Sequence, residues 1–146
     1  MSNIKFAIVP ILIVSVLVLS SCQKKQPTAN PEAEQAAVEA ANAWLVLVDS
    51  GDYTESWQET AQFFRNVVTK DKWQQSCQGF REPLGKLVSR ELKSTRYTTT
   101  APGAPDGQYV IIQYHSSFEN KASAVETVTP MLDSDGQWRV SGYYIK

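Results

Sequence analysis

The chain reads as an α+β protein: three helices followed by a curved four-stranded antiparallel sheet. Two observations carry this. Apolar residues recur at helical spacing in three consecutive segments between Ala37 and Leu84, and after Gly85 the period shortens to the alternation of strands. Helices grouped ahead of strands, rather than alternating with them, point to α+β packing with the helices on one sheet face.

The first helix opens at Asn30-Pro31, an N-cap followed by proline at the first helical position. Ala37, Ala41, Trp44, Leu45 and Val48 form its apolar stripe, and Gly51 offers a stop. Asp52 and Glu55 have capping-box spacing. Tyr53, Trp57, Ala61, Phe64 and Val68 are then expected on a single second helix. Thr69 caps a third, with Trp73, Cys77, Phe80 and Leu84 on one face, and Pro83 and Gly85 end it.

The sheet follows as a meander. KLVSRELKSTRYTTT alternates loosely, APGAPDG is a turn cluster, and QYVIIQYHSSF is a clear strand. FENK turns the chain into SAVETVTPML, where Pro130 predicts a bulge or an edge position. DSDG is a hairpin turn into QWRVSGYYIK. Val110, Ile112, Tyr114 and Phe118 are expected to face the core, which turns His115 outward.

Ahead of the domain, a single charge at Lys5 precedes an uncharged run from Phe6 to Ser21. The run is shorter than the roughly 20 apolar residues of a membrane span and contains Pro10, so a secretory signal over residues 1–21 is the better reading. Its end, Leu19-Ser20-Ser21-Cys22, resembles the lipobox of bacterial lipoproteins. The resemblance implies cleavage between Ser21 and Cys22 and lipidation (diacylglycerol and an acyl chain such as palmitate) on Cys22. Such an anchor holds stably once two chains are present, at about 0.8 kcal/mol per buried methylene. Residues 22–30 then form a polar, proline-bearing tether, and residues 31–146 the domain. Gln23, in place of the aspartate that retains Gram-negative lipoproteins at the inner membrane, implies the cell envelope and, if the source is Gram-negative, the periplasmic face of the outer membrane. The expected partner is therefore the membrane itself, through the anchor, with a homodimer or another envelope protein beside it.

Composition narrows the function. Of 14 basic and 15 acidic residues, loss of Lys5 leaves 13 against 15, so no basic face for nucleic acid is expected. With Cys22 lipidated, Cys77 has no disulfide partner and reads as a small buried hydrophobe. His115 is the single histidine, too little for the usual zinc clusters. DSDG lacks the distal ligands of a calcium loop. No metal or cofactor and no catalytic set is expected, and Trp44, Trp57, Trp73 and Trp138 read as core.

The layout resembles the NTF2-like (cystatin-like) cone, in which a bent sheet wraps a long helix, and the closing DGQWRVSGYYI is typical of its last hairpin strand. More narrowly, AWLVLVDSGDYTESW, PLGKLVSRELKSTRY, PGAPDGQYV and SFENKASAVETVT resemble a family of small bacterial envelope proteins known as domain of unknown function four-thousand-nineteen. The cone implies a pocket at its open end, which Glu126, Tyr114, Tyr144 and Arg96 are placed to reach. Two functions follow as expectations. One is a lipid-anchored, non-catalytic module that binds a protein partner or a small apolar ligand. The other is an isomerase- or hydrolase-type enzyme built in the cone.

Overall fold

The computed structural model describes residues 29–146; Ser21, Cys22 and the segment ahead of them lie outside the described residues. Helix α1 (Pro31–Asp49) is followed by α2 (Tyr53–Gln58), α3 (Gln62–Val67), α4 (Lys70–Phe80) and a 3-10 turn (Glu82–Leu84). Strands β1 (Leu87–Thr98), β2 (Tyr109–Phe118), β3 (Lys121–Leu132) and β4 (Trp138–Ile145) form one open antiparallel sheet in the order β1-β2-β3-β4. The α+β architecture and the meander are those the residue pattern predicts.

Local signals explain the first helix. The Asn30 side chain accepts from the Ala33 amide at 3.2 Å, satisfying one of the amide donors left free at a helix start. Ala37, Ala41, Trp44, Leu45 and Val48 are all buried on one stripe, laid across the concave face of the sheet. Gly51 leaves the helix at a positive φ of 80°, a conformation that suits glycine.

The second helix differs from expectation. The stripe from Tyr53 to Val68 is broken at Glu59–Ala61 into α2 and α3. Here the Ala61 amide leaves the helical ladder and donates to the Val140 carbonyl on β4 at 2.8 Å. Freed carbonyls of Gln58 and Thr60 are collected by the Arg65 guanidinium, so no buried acceptor is abandoned. A tertiary bond to the sheet edge has displaced a local one. The Asp52 capping box is also unmade: its carboxylate accepts from the Ser50 hydroxyl at 3.0 Å instead. Thr69 does cap α4, accepting from the Lys72 amide.

Four register shifts interrupt the sheet, one of them between Ser116 and Phe118 at the β2–β3 end. Val88 and Lys93 are extra residues on β1, between Leu87/Ser89 and Leu92/Ser94. Ser141 is extra on β4, opposite the Thr129–Pro130 step. A bulge reverses the inward–outward parity beyond it. On β1, Arg90 and Leu92 pair with the inward Ser116 and Tyr114, but past Lys93 it is Thr95 and Tyr97 that pair with the inward Ile112 and Val110. The loose alternation of this strand has that cause. Pro130, buried in an interior strand, is tolerated because the bulge lies directly opposite it.

Candidate functional site

The concave side of the sheet is filled. Trp44, Trp73, Phe64, Phe80 and Tyr143 form one aromatic cluster with ring centroids 5.3–6.4 Å apart. Fully buried Ser56 fixes both central indoles: its carbonyl accepts from Trp44 Nε1 at 2.7 Å and its hydroxyl oxygen from Trp73 Nε1 at 3.0 Å. Each buried indole N–H thereby finds the partner it requires.

Beside the rings runs a buried ionic chain. Glu126 on β3 has no solvent exposure. Its Oε2 accepts from Arg90 Nε at 2.6 Å and from the Ser116 hydroxyl at 2.5 Å. Its Oε1 accepts from Arg90 Nη2 at 3.0 Å and from the Tyr143 hydroxyl at 2.5 Å. Arg90 also donates to Asp49 at the end of α1, with Nη1 2.7 Å from Oδ2. Asp49 receives Arg81 as well, Nη2 to Oδ1 at 3.0 Å. The chain ties α1, the α4 end, β1, β3 and β4 together.

Electrostatics follow from this arrangement. Burial works against the charge on Arg90, yet its bonds to Asp49 and Glu126 hold its pKa above the ordinary range. Tyr143 is pushed well above an ordinary phenol, first by burial and then by the Glu126 charge. Burial pushes Tyr114 up to about 12, and its hydroxyl donates to Asn42 Oδ1 at 2.8 Å. Burial likewise pushes the Cys77 thiol up to about 12, so it is inert packing, as its neighbours predicted.

Of the residues expected to reach an interior pocket, Glu126 and Tyr114 do face inward. Arg96 and Tyr144 do not: both are exposed on the outer side. The bulges at Lys93 and Ser141 turn them away and bring Thr95, Tyr97 and Tyr143 inward instead. Arg90, Asp49, Arg81 and Tyr143 carry the ionic chain and were not singled out from sequence. Alternation gave no signal for Arg90, since its neighbours at two-residue spacing, Val88 and Leu92, are themselves exposed. His115 is exposed, paired across the sheet with Glu91, as expected. Asp133 and Asp135 of the DSDG turn both engage Arg139. Arg139 and the Gln137 amide hold Asp135 down to about 2. No group of histidine, cysteine, aspartate and glutamate among the described residues is arranged to hold a metal ion, and no described helix is long and apolar enough to cross a membrane.

An open groove of about 390 Å³ lies at the edge of the fold, between α1 and β4. Ala40, Ala43, Trp44 and Leu47 line it from α1, Trp138, Arg139 and Val140 from β4, and Glu59 and Gln137 complete the lining. Small alanines on the helix let the two walls stand apart, and the Trp44 indole, held by Ser56, forms part of the lining.

A family model described as "Protein of unknown function (DUF4019)" matches residues 40–143. No curated protein and no solved structure matches the chain.

Proposed function

The chain belongs to that family of proteins of unknown function, and from this premise we propose that it is a lipid-anchored bacterial envelope module that binds a partner without catalysis. One observation carries the non-catalytic part. Both oxygens of Glu126, the acid at the heart of the fold, are occupied by four donors, and aromatic rings fill the space beside it. A general base must be within reach of the proton it removes and have a lone pair to receive it. Glu126 has neither room nor a free acceptor site, which weighs against the isomerase- or hydrolase-type reading.

The binding part rests on the groove between α1 and β4. Its volume is in the roughly 300–1,000 Å³ range of small-ligand sites, and its lining sets apolar Trp44, Leu47, Trp138 and Val140 beside polar Glu59, Gln137 and Arg139. It accepts a small apolar ligand or an apolar side chain of an envelope partner. Lipidation of Cys22 supplies the location: a surface-tethered domain meets its partners at high effective concentration. An NTF2-like ancestry is in keeping with a curved sheet wrapped on a long helix, and a homodimer is one form the partnership can take.

Native mass spectrometry of the protein released gently from the envelope is the test. A co-purifying mass that dissociates on denaturation, and that is lost in Ala43→Arg, supports the groove. A bare chain in both forms, together with turnover of any small ester or ketone, would overturn the proposal.

A further inference from the structure

Strand β1 lies at one edge of the sheet, and no strand pairs with its far side among the described residues. One end of that side is closed by α1: Glu34 accepts from the Tyr97 amide at 3.4 Å and from the Thr95 hydroxyl at 2.5 Å. Toward the other end the edge carries apolar side chains in the open. Val88 is 66 % exposed and Leu92 52 %. Val46 of α1, also exposed, stands one helical turn from Asn42 and from Asp49. Those two residues bond to Tyr114, the partner of Leu92, and to Arg90, so Val46 flanks the same edge. A bare strand edge with apolar side chains is a template for a further strand.

The charges on this stretch select what can pair there. Glu91 and Lys93 flank Leu92, and both are exposed. When two copies pair antiparallel about a twofold axis at Leu92, Glu91 of each stands opposite Lys93 of the other, and Leu92 meets its own counterpart. Opposite charges directly across an antiparallel pair stabilise it, and like charges destabilise it. An axis at Glu91 or at Lys93 sets like charges against each other, so Glu91-Leu92-Lys93 is complementary to itself in the Leu92 register. The extra residues at Val88 and Lys93 bend the strand and confine regular pairing to a few residues. At the opposite edge of the sheet the Val140 carbonyl is already taken by the Ala61 amide. A twofold contact at β1 therefore closes at two copies and does not propagate.

We infer that a second copy of this chain joins β1 to β1, edge to edge, with Leu92 at the twofold axis, so that the two four-stranded sheets become one. The inference rests on the partner reading above and gives its homodimer form an interface. It does not involve the groove, which lies on the β4 side of α1. Two copies anchored through Cys22 in one membrane leaflet meet at high effective concentration, so a short contact is enough.

Cysteine cross-linking of the full chain in bacterial membranes tests the register, with the parent chain as background. Directly opposed residues have Cα atoms about 4.5–5.5 Å apart, within disulfide reach. Leu92→Cys should therefore form a disulfide-linked dimer under mild oxidation. Ser94→Cys, whose counterpart stands about 13 Å away along the strands, should form about tenfold less. In neutral detergent micelles, Glu91→Lys alone or Lys93→Glu alone should weaken dimerisation about tenfold. The two together should restore it, a repair that a mere folding defect would not show. Equal cross-linking in Leu92→Cys and Ser94→Cys, or a double reversal no better than the single changes, overturns the inference. A dimer that these changes leave intact and that Ala43→Arg abolishes also overturns it, since the copies then meet at the groove and the partner reading stands without the edge. A monomer throughout overturns the edge contact and leaves the groove to a different partner.

Discussion

Arg90 and Glu126 meet beneath a strand that separates them. They lie on β1 and β3, which have β2 between them, and Arg90 Nε stands 2.6 Å from Glu126 Oε2. Ser116, the β2 residue paired with Arg90, adds its hydroxyl to the same oxygen. The bridge thus spans three strands on the face that α1 covers. Removing one member strands the other charge in the interior. Arg90→Met is expected to cost about 3–5 kcal/mol, and Tyr143→Phe, which deletes only a hydrogen bond to the carboxylate, about 1.5–3 kcal/mol. Urea denaturation of both variants checks the order; a loss below about 1 kcal/mol in Arg90→Met contradicts the role assigned to the chain.

Stability should fall in alkali. Tyr114 and Tyr143 have folded pKa values raised above that of an unfolded tyrosine, about 10. Below pH 10 both states keep the protons and stability is unaffected. Above it the unfolded chain releases them first, binds fewer protons than the native state, and gains population. Absorbance at 295 nm should therefore show two phenols that ionise only together with the loss of near-ultraviolet dichroism. Their ionisation in a still-folded protein would contradict the burial described.

Thiol titration tests the anchor and the core at once. Cys77, wholly buried, should be silent to a disulfide reagent at pH 8 and react on denaturation. If Cys22 carries the lipid as a thioether, denatured protein from bacterial membranes titrates one thiol, and Cys22→Ser leaves that number unchanged. Two thiols in the parent would exclude lipidation.

Gly85 is expected to resist substitution. Its φ of +75° falls in the region L side chains avoid, and a Cβ there would stand 2.8 Å from Glu119 Oε2 and 3.0 Å from Glu119 Cβ. Glu119 in turn accepts from the Lys86 amide at 2.9 Å, closing the turn into β1. Gly85→Ala should destabilise by about 1–3 kcal/mol. Gly51→Ala, with nothing within 4 Å of the new Cβ, serves as comparison and should lose less. Equal melting temperatures for the two would show that the Glu119 contact has no weight.

Much of the fold was legible in the chain because it is local. Asn30, Thr69 and the stripe through Ala37, Ala41, Trp44, Leu45 and Val48 act within a turn or two of helix. The outward turn of His115 likewise follows from simple alternation along β2, which is continuous from Tyr109 to Ser116. Pro130 announced a bulge because a proline cannot donate to an interior ladder.

What tertiary structure alone decided lies beyond each extra residue. At constant alternation Tyr144 falls in step with Trp138 and Val140, and Arg96 with Arg90 and Leu92. Ser141 and Lys93 break that step, so Tyr143 meets Glu126 while Tyr144 and Arg96 face outward. The break in the second helix has the same origin, since the Ala61 amide is claimed by Val140 on a strand nearly eighty residues later in the chain. A bulge or a long-range hydrogen bond is selected by the partner strand, through pairing and burial across the sheet. Residue periodicity reports only the near neighbours of each side chain, which is why it showed the layers of this protein and not the ionic chain between them.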